Sequence, residues 1–219
     1  MRIATLISGR GGQGVVEAGN LLALGFMYAG MRATVVPTYG PQTRGGRVES
    51  AVVGSSESVD DPLPSKYEAV LLADPLATKR CERVERGGLL LINSSLIDQR
   101  IEIEAHVIRV EATRIAERVG QGLREPRILT GTVLLGALSG AGYVPLEWLV
   151  NASRARFQDP RILEANLSAL RSGAGSAATR RAHRSIDRRG VLFPRSPPNT
   201  PTPELSVYAC TETAFRARA

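Results

Sequence analysis

The sequence predicts an α/β protein: a Rossmann-like three-layer α/β/α sandwich with a largely parallel or mixed sheet, followed by a disordered C-terminal tail. Three observations support this fold class. Short apolar and partly β-branched runs alternate with longer segments of helical periodicity. The first apolar run, residues 3–7, leads through a glycine-rich turn into a helical pattern. After residue 173 large apolar residues become rare, so we expect a domain over 1–173 and a disordered tail over 174–219.

Shortly after the first predicted strand, the six residues 9–14 contain four glycines: Gly9, Gly11, Gly12 and Gly14, with Gln13 before the last of them. A strand, a tight glycine turn and a helix start together present backbone N–H groups to a ligand, because the first four N–H groups of a helix lack an intrahelical partner. Such a turn suits a phosphate or a carboxylate. Gly9, Gly11 and Gly14 also form a G-x-G-x-x-G pattern, which is weak evidence on its own.

An NAD site requires more than this pattern. It needs an acidic residue about 20 residues further on, at the end of the second strand, to bind the ribose hydroxyls. The second predicted strand, residues 33–36, runs into Pro37, and no Asp or Glu lies between Glu17 and Glu49. The sequence therefore disfavours a free-standing dinucleotide-binding module, which stays as an alternative of a different class.

The segment after the glycine turn predicts a helix to about residue 29, because apolar residues from Val15 to Phe26 recur on one face. Gly30 is a plausible C-terminal cap. Gly19 and Gly25 lie inside this helix, where each costs about 1 kcal/mol relative to alanine. Their presence predicts close packing of the helix on a sheet.

A predicted strand over residues 32–37 leads into a ten-residue loop, 38–47, that is too rich in glycine and proline for a regular element. Loops at the carboxyl ends of strands line the ligand crevice of a doubly wound sheet, so we expect this loop to lie beside the glycine turn. The alternative is a surface turn that only requires glycine. The candidate functional residues of the loop are Tyr39, Gly40, Arg44, Gly45 and Gly46.

Polar residues follow two of the later strands. Asp74 is either the N-cap of a helix predicted over 75–86 or a site residue. Asn93 and Ser94 are either a cap or part of the ligand crevice. The later strands are predicted over residues 48–54, 68–73, 89–92 and 106–110.

The last third of the sequence is helical in pattern and then changes character. Gly173 is predicted to cap the last helix. Residues 171–219 contain nine arginines against three acidic residues, so most of the net charge of +7 belongs to the tail. We expect a solvated extension rather than a nucleic-acid-binding arm, although docking on an acidic partner is the alternative. The helices are predicted over residues 112–119, 128–138, 145–157 and 161–170.

The cysteine content and the N-terminus predict a cytoplasmic protein with no membrane partner. Cys81 and Cys210 are far apart in sequence, which argues against a cysteine-ligated iron–sulfur cluster or zinc site within this chain and fits a reducing compartment. The first residues run straight into a strand, without the layout of a signal peptide. No apolar run reaches the roughly 18 residues that a transmembrane helix needs.

Residue types suited to catalysis are scarce. His106 lies on a predicted strand and His183 in the tail, so we expect no histidine-based acid–base site. The sequence contains no G-x-S-x-G elbow, no P-loop, and no Gly-Asp-Gly followed by Asn-Asn, the pattern that binds magnesium and thiamine diphosphate. We therefore predict no catalytic and no metal-binding residue, and a subunit that completes the site of a partner.

Two motifs together resemble one family. Residues 9–15 read Gly-Arg-Gly-Gly-Gln-Gly-Val, and about 25 residues later residues 39–41 read Tyr-Gly-Pro and residues 44–46 read Arg-Gly-Gly. This pairing, which is more specific than either half, resembles the gamma subunit of 2-oxoacid:ferredoxin oxidoreductases over residues 1–173. The beta subunit of indolepyruvate oxidoreductase shares both motifs and is the nearest alternative.

The resemblance implies a complex that interconverts a 2-oxoacid plus coenzyme A with acyl-CoA plus CO2 and passes electrons to ferredoxin. The favoured substrate is 2-oxoglutarate, with pyruvate second. Alpha-type and beta-type partner subunits would hold thiamine diphosphate and magnesium, [4Fe-4S] clusters would lie on other subunits or domains, and this chain alone would bind no cofactor. The glycine loops would help to form the coenzyme A and subunit-interface region. Arg44 would either pair with a phosphate or anchor the interface.

Two residues depart from the pattern that the resemblance implies. Arg10 stands where a small or apolar residue is expected, and Arg47 follows the Arg-Gly-Gly motif where a small or polar residue is common. Neither changes the glycine geometry. A pure scaffold, in which the glycine loops only fit a partner, is the third alternative.

Overall fold

The computed structural model describes residues 1–42, 45–182 and 210–211, in which one mixed sheet is covered by helices. The sheet has the strand order β6-β5-β4-β1-β3-β2-β7 once its strands are numbered along the chain. The strands are β1 (Arg2–Arg10), β2 (Arg32–Tyr39), β3 (Arg47–Ser55), β4 (Tyr67–Leu72), β5 (Val84–Asn93), β6 (His106–Val110) and β7 (Cys210–Thr211). The α-helices are α1 (Val15–Tyr28), α2 (Ala112–Val119), α3 (Thr130–Gly140), α4 (Leu146–Arg156) and α5 (Pro160–Ala182). The 3-10 helices are Pro75–Arg83 and Pro126–Leu129.

The sheet is parallel on one side of β1 and antiparallel on the other. Strands β1, β4, β5 and β6 run parallel to one another, whereas β3 is antiparallel to both β1 and β2 and lies between them. Val48 pairs with Gly9 on one side and with Tyr39 on the other. The carboxyl ends of β1 and β2 therefore lie beside the start of β3. The predicted α/β class with a mixed sheet is confirmed.

The α-helices cover one face of the sheet and form the larger core. Phe26 of α1 is fully buried there, and its ring makes an edge contact with Trp148 of α4 at a centroid distance of 6.4 Å. The Phe26 ring occupies the space that a side chain at Gly54 of β3 would need, since a Cβ at Gly54 would lie 2.5 Å from it. Burial of an aromatic side chain of this size contributes on the order of 2–3 kcal/mol.

The opposite face has a thinner cover. The 3-10 helix Pro75–Arg83 and the loop segments after β3 and β5 pack there on a second cluster of buried residues that includes Leu6 and Tyr67. The sequence predicts an α-helix to residue 86 in this place, and that prediction is wrong. The 3-10 helix ends at Arg83 and the chain from Val84 is already in β5, because its backbone pairs with Tyr67 of β4.

Two predictions about helical glycines need correction. Gly173 does not end the last helix, because α5 continues to Ala182 and Gly173 lies inside it at a close contact with α3. Gly25 packs against the backbone of Trp148 in α4 and not on the sheet, whereas Gly19 does lie on the sheet over Ser50. The first nine residues of the predicted tail are thus helical, and most of the rest of the tail lies outside the described residues.

In the part of the chain that the structure describes, no helix combines the length and the apolar character that a bilayer span requires.

Candidate functional site

The glycine turn after β1 is hydrogen-bonded to the loop between β2 and β3. Gly11 donates its N–H to the carbonyl of Gly46 over 3.0 Å, and Gly40 donates to the carbonyl of Arg47 over 2.8 Å, which closes the hairpin. The predicted proximity of the two loops is confirmed. It arises because β3, which follows the second loop, pairs directly with β1.

A cavity of about 410 Å³ opens between these two loops. Its volume lies within the usual range of small-molecule sites. Gly12 is exposed on it with φ of 95°, and Tyr39 is 44% exposed at its rim. The described lining residues are Gly11, Gly12, Tyr39, Gly40, Gln42, Gly45, Gly46, Arg47 and Val48. Six of the twelve predicted site residues therefore border one cavity, while Arg44 lies outside the described residues.

Gln13 is buried, and its side chain bonds only to the protein. Its Oε1 accepts from the N–H of Arg10 over 2.9 Å. Its Nε2 lies 3.3 Å from the Ala73 carbonyl and 3.3 Å from the Asp74 carboxylate. Gln13 thereby fixes the shape of the turn and connects it to the end of β4, so it positions the cavity wall instead of lining it.

The start of α1 is covered by the start of α3. A Cβ at Gly14, which has φ of 69°, would lie 2.0 Å from the carbonyl of Ile128, and Gly131 donates its N–H to the carbonyl of Gln13 over 2.9 Å. Gly9 is also confined, since a Cβ there would lie 2.8 Å from Cβ of Ala73. Gly9 and Gly14 thus allow close packing, and the turn reaches the cavity at Gly11 and Gly12.

Asp74 is the N-cap of the 3-10 helix, one of the two roles that the sequence leaves open, and it also binds an arginine of the glycine turn. Its Oδ1 accepts from the N–H of Leu76 over 3.1 Å, as an N-cap does, and its Oδ2 lies 3.2 Å from Nε of Arg10. Asp74 is buried, whereas the Arg10 side chain is half exposed. The carboxylate therefore holds an arginine at the edge of the glycine turn.

Asn93 is a fully buried connector behind the cavity. Its Nδ2 donates to the Ala73 carbonyl and to Oγ1 of Thr113, each over 2.8 Å, and its Oδ1 accepts from the N–H of Thr113. Ser94 donates its N–H to the Val110 carbonyl over 2.8 Å. Asn93 and Ser94 therefore join the end of β5 to the end of β6 and the start of α2, and neither of them lines the cavity.

A second buried carboxylate was missed at the sequence level. Oε1 of Glu49 accepts from Oγ of Ser8 over 3.1 Å and from Nε of Arg80 over 2.5 Å, and it lies 3.2 Å from Nε of Arg47. The only signal in the sequence is an acidic residue one position into an apolar run. Among the described residues no group of three or more His, Cys, Asp or Glu is arranged to hold a metal ion.

Residues 4–176 match the family described as pyruvate ferredoxin/flavodoxin oxidoreductase, which is well over half of the chain. The chain belongs to this family. Subunit KorC of 2-oxoglutarate synthase from Methanocaldococcus jannaschii is 33% identical over 143 residues, or 64% of this chain and 74% of that subunit. Subunit IorB of indolepyruvate oxidoreductase from Archaeoglobus fulgidus is 26% identical over 203 residues, or 83% of this chain and 98% of that subunit.

The fold of this family member also matches solved structures. The gamma subunit of a keto/oxoacid ferredoxin oxidoreductase from Geobacter sulfurreducens superposes with a TM-score of 0.69 at 25% sequence identity, covering 82% of this chain and 98% of that one. The resemblance to gamma subunits that the two glycine motifs predict is therefore confirmed, and the chain is of the subunit type found in oxoacid oxidoreductases.

Proposed function

We propose that this chain is the gamma-type subunit of a complex that interconverts 2-oxoglutarate plus coenzyme A with the acyl-CoA plus CO2 and exchanges the electrons with ferredoxin. Pyruvate is the second candidate substrate. In this proposal the chain contributes no catalytic residue, is inactive alone, and forms part of the coenzyme A and subunit-interface region. Thiamine diphosphate and magnesium belong to its alpha-type and beta-type partners, and [4Fe-4S] clusters belong to other subunits or domains.

The hydrogen bond from Gly11 to Gly46 is the main support for a ligand role of the two loops. It brings two glycine-rich segments to one open cavity, where Gly12 has no side chain and its N–H donates to no described residue. An exposed N–H beside an arginine suits a phosphate ester. Coenzyme A would supply the thiol that accepts the acyl group, and the described residues of this chain would bind and orient its nucleotide end.

The free-standing dinucleotide-binding alternative is weaker. A dinucleotide site requires parallel neighbouring strands at the point where the strand order reverses. On the side of β1 where such a neighbour is needed, this sheet has the antiparallel β3. The second strand also ends at Pro37, Thr38 and Tyr39, with no carboxylate for a ribose.

An indolepyruvate-type complex is the closer alternative, because IorB has a similar length and matches most of this chain. A single experiment separates these possibilities. The tagged chain is purified from its native cells, and the eluate is assayed for coenzyme-A-dependent reduction of a viologen dye with 2-oxoglutarate, pyruvate and indolepyruvate. We expect partner subunits to copurify and 2-oxoglutarate to give the highest rate. A protein that elutes alone and binds NAD would refute the proposal.

A further inference from the structure

The two arginines that the sequence analysis singles out, Arg10 and Arg47, are neighbours in the structure. Arg10 at the end of β1 and Arg47 at the start of β3 are directly paired across the antiparallel ladder. Residues paired in this way extend their side chains to the same face of a sheet. Arg47 lines the cavity between the glycine loops, and Arg10 precedes Gly11 in its wall.

Each of these arginines is held by its own buried carboxylate. Nε of Arg10 lies 3.2 Å from Asp74 and Nε of Arg47 lies 3.2 Å from Glu49, and both carboxylates are at least nine-tenths buried. Arg80 binds the same oxygen of Glu49 from the 3-10 helix. Three guanidinium groups against two carboxylates leave the cluster with a net positive charge.

The arginines retain donors for a ligand. Arg10 is 49% exposed and Arg47 is 38% exposed, and the terminal Nη groups of both make no hydrogen bond with any described residue. A guanidinium group that is oriented through Nε presents its remaining N–H groups in a fixed plane, which is the geometry that binds phosphate oxygens. The covered start of α1 does not provide this recognition, because Ile128 and Gly131 pack on it.

We propose that Arg10 and Arg47 form a binding site for a phosphate monoester, and that its natural ligand is the 3′-phosphate of coenzyme A. This inference rests on the proposed function. Coenzyme A has two kinds of phosphate: a diphosphate diester and one monoester at the ribose 3′ position. A monoester carries close to two negative charges at neutral pH and offers three oxygens, so it matches two neighbouring arginines better than either diester phosphate does.

The test compares coenzyme A with 3′-dephospho-coenzyme A on the assembled complex by equilibrium dialysis. The informative quantity is the dissociation constant of 3′-dephospho-coenzyme A divided by that of coenzyme A, taken within each variant. A general disturbance of the cavity cancels in that ratio. In the wild type we expect coenzyme A to bind about tenfold or more tightly, since a charge-assisted contact of this kind has at least that effect. In Arg10→Gln and Arg47→Gln the ratio falls towards one, through a loss of coenzyme A affinity alone.

Two further variants keep the test decisive. Arg86→Gln removes an exposed arginine that pairs with Glu104 elsewhere on the surface, and it leaves the ratio unchanged. Arg10→Lys and Arg47→Lys keep the positive charge beside Asp74 and Glu49, so they fold even if the glutamine variants do not. The planar donor pair is lost in them, and the ratio falls to an intermediate value.

The outcomes separate this inference from the proposed function. Equal affinities of the wild type for both nucleotides, or a ratio unaffected by the Arg10 and Arg47 variants, would overturn the inference while coenzyme A binding by the complex still stands. Failure of the wild type to bind either nucleotide would overturn the proposed function together with it.

Discussion

Nε2 of Gln13 lies 3.3 Å from the buried carboxylate of Asp74 and so joins the glycine turn after β1 to the residue that follows β4. The same carboxylate caps the 3-10 helix and holds Arg10. One side chain of the turn and one side chain just beyond the end of β4 thus hold the cavity wall in place. The shape of the turn therefore depends on this pair as well as on its glycines.

Gln13→Ala tests that dependence. It removes the hydrogen bond that the N–H of Arg10 donates and one of the two that the carbonyl of Ala73 accepts, and the loss of each such hydrogen bond costs about 0.5–1.5 kcal/mol. We expect the free energy of unfolding, measured with urea, to fall by about 2 kcal/mol in total. Gln121→Ala, at an exposed turn position, is the matched control and changes it by less than about 0.5 kcal/mol. Equal effects of the two substitutions would contradict the role of Gln13.

Gly12→Ala separates ligand binding from backbone strain. Gly12 and Gly122 have φ of 95° and 93°, and a Cβ at either would meet nothing within 4 Å. Alanine at either position therefore costs about 1–2 kcal/mol of stability, through strain alone. Of these two glycines, only Gly12 lines the cavity. We expect the apparent affinity of the complex for coenzyme A to fall in Gly12→Ala and to stay unchanged in Gly122→Ala. The same affinity in both variants would mean that the glycine loops only fit a partner subunit and bind no ligand.

The glycine turn could be predicted from sequence because its signal is local. A strand, four glycines and a helical pattern follow one another within 20 residues, and the turn and helix follow from backbone sterics. The insertion of β3 between β1 and β2 could not be predicted, because an apolar run specifies a strand but not its neighbours. The loops still meet as expected, since both lie at the carboxyl ends of strands that point the same way.

Glu49 shows why part of the site was missed. An acidic residue at the start of a strand usually faces solvent. Its burial here depends on Ser8 from β1 and on Arg80 from the 3-10 helix, which are separated from it by 41 and 31 residues. Partners so distant in sequence are brought together only by the tertiary fold, and no local pattern records them.

Asn93→Ala distinguishes a structural connector from a ligand residue. The substitution removes hydrogen bonds to Ala73 and Thr113 from a fully buried position, and we expect a loss of about 2–3 kcal/mol in the free energy of unfolding. Asn151→Ala in α4, at a half-buried position, is the control and has little effect. The assembled complex should keep its affinity for coenzyme A. A large loss of affinity with little loss of stability would instead place Asn93 in the binding site.

The buried phenol of Tyr67 makes the stability of the fold depend on pH in the alkaline range. Burial, the largest cause, raises the pKa of its phenol above the ordinary value of 10.0, against the opposing charge of Arg83. The folded state therefore retains this proton when the unfolded state has lost it. The stabilising contribution is complete below pH 10 and declines as the pH rises through the folded-state pKa. We expect the urea midpoint of Tyr67→Phe to fall less steeply above pH 10 than that of the wild type, whereas exposed Tyr39→Phe should follow the wild type.

Gly173 and Gly175 lie two residues apart in α5. We expect alanine at these two positions to change the free energy of unfolding in opposite directions. A Cβ at Gly173 would lie 2.0 Å from the carbonyl of Val133 in α3, and the backbones cannot separate without opening the packed core between the helices. We expect Gly173→Ala to destabilise the fold by about 3 kcal/mol or more, as overpacking against backbone does. A Cβ at Gly175 would meet nothing within 4 Å, so Gly175→Ala gains the helix propensity of alanine and raises the free energy of unfolding by about 0.5–1 kcal/mol. If the helix ended at Gly173, as its sequence first predicts, the Gly175 substitution would have no such effect, because its gain requires a helical residue at position 175.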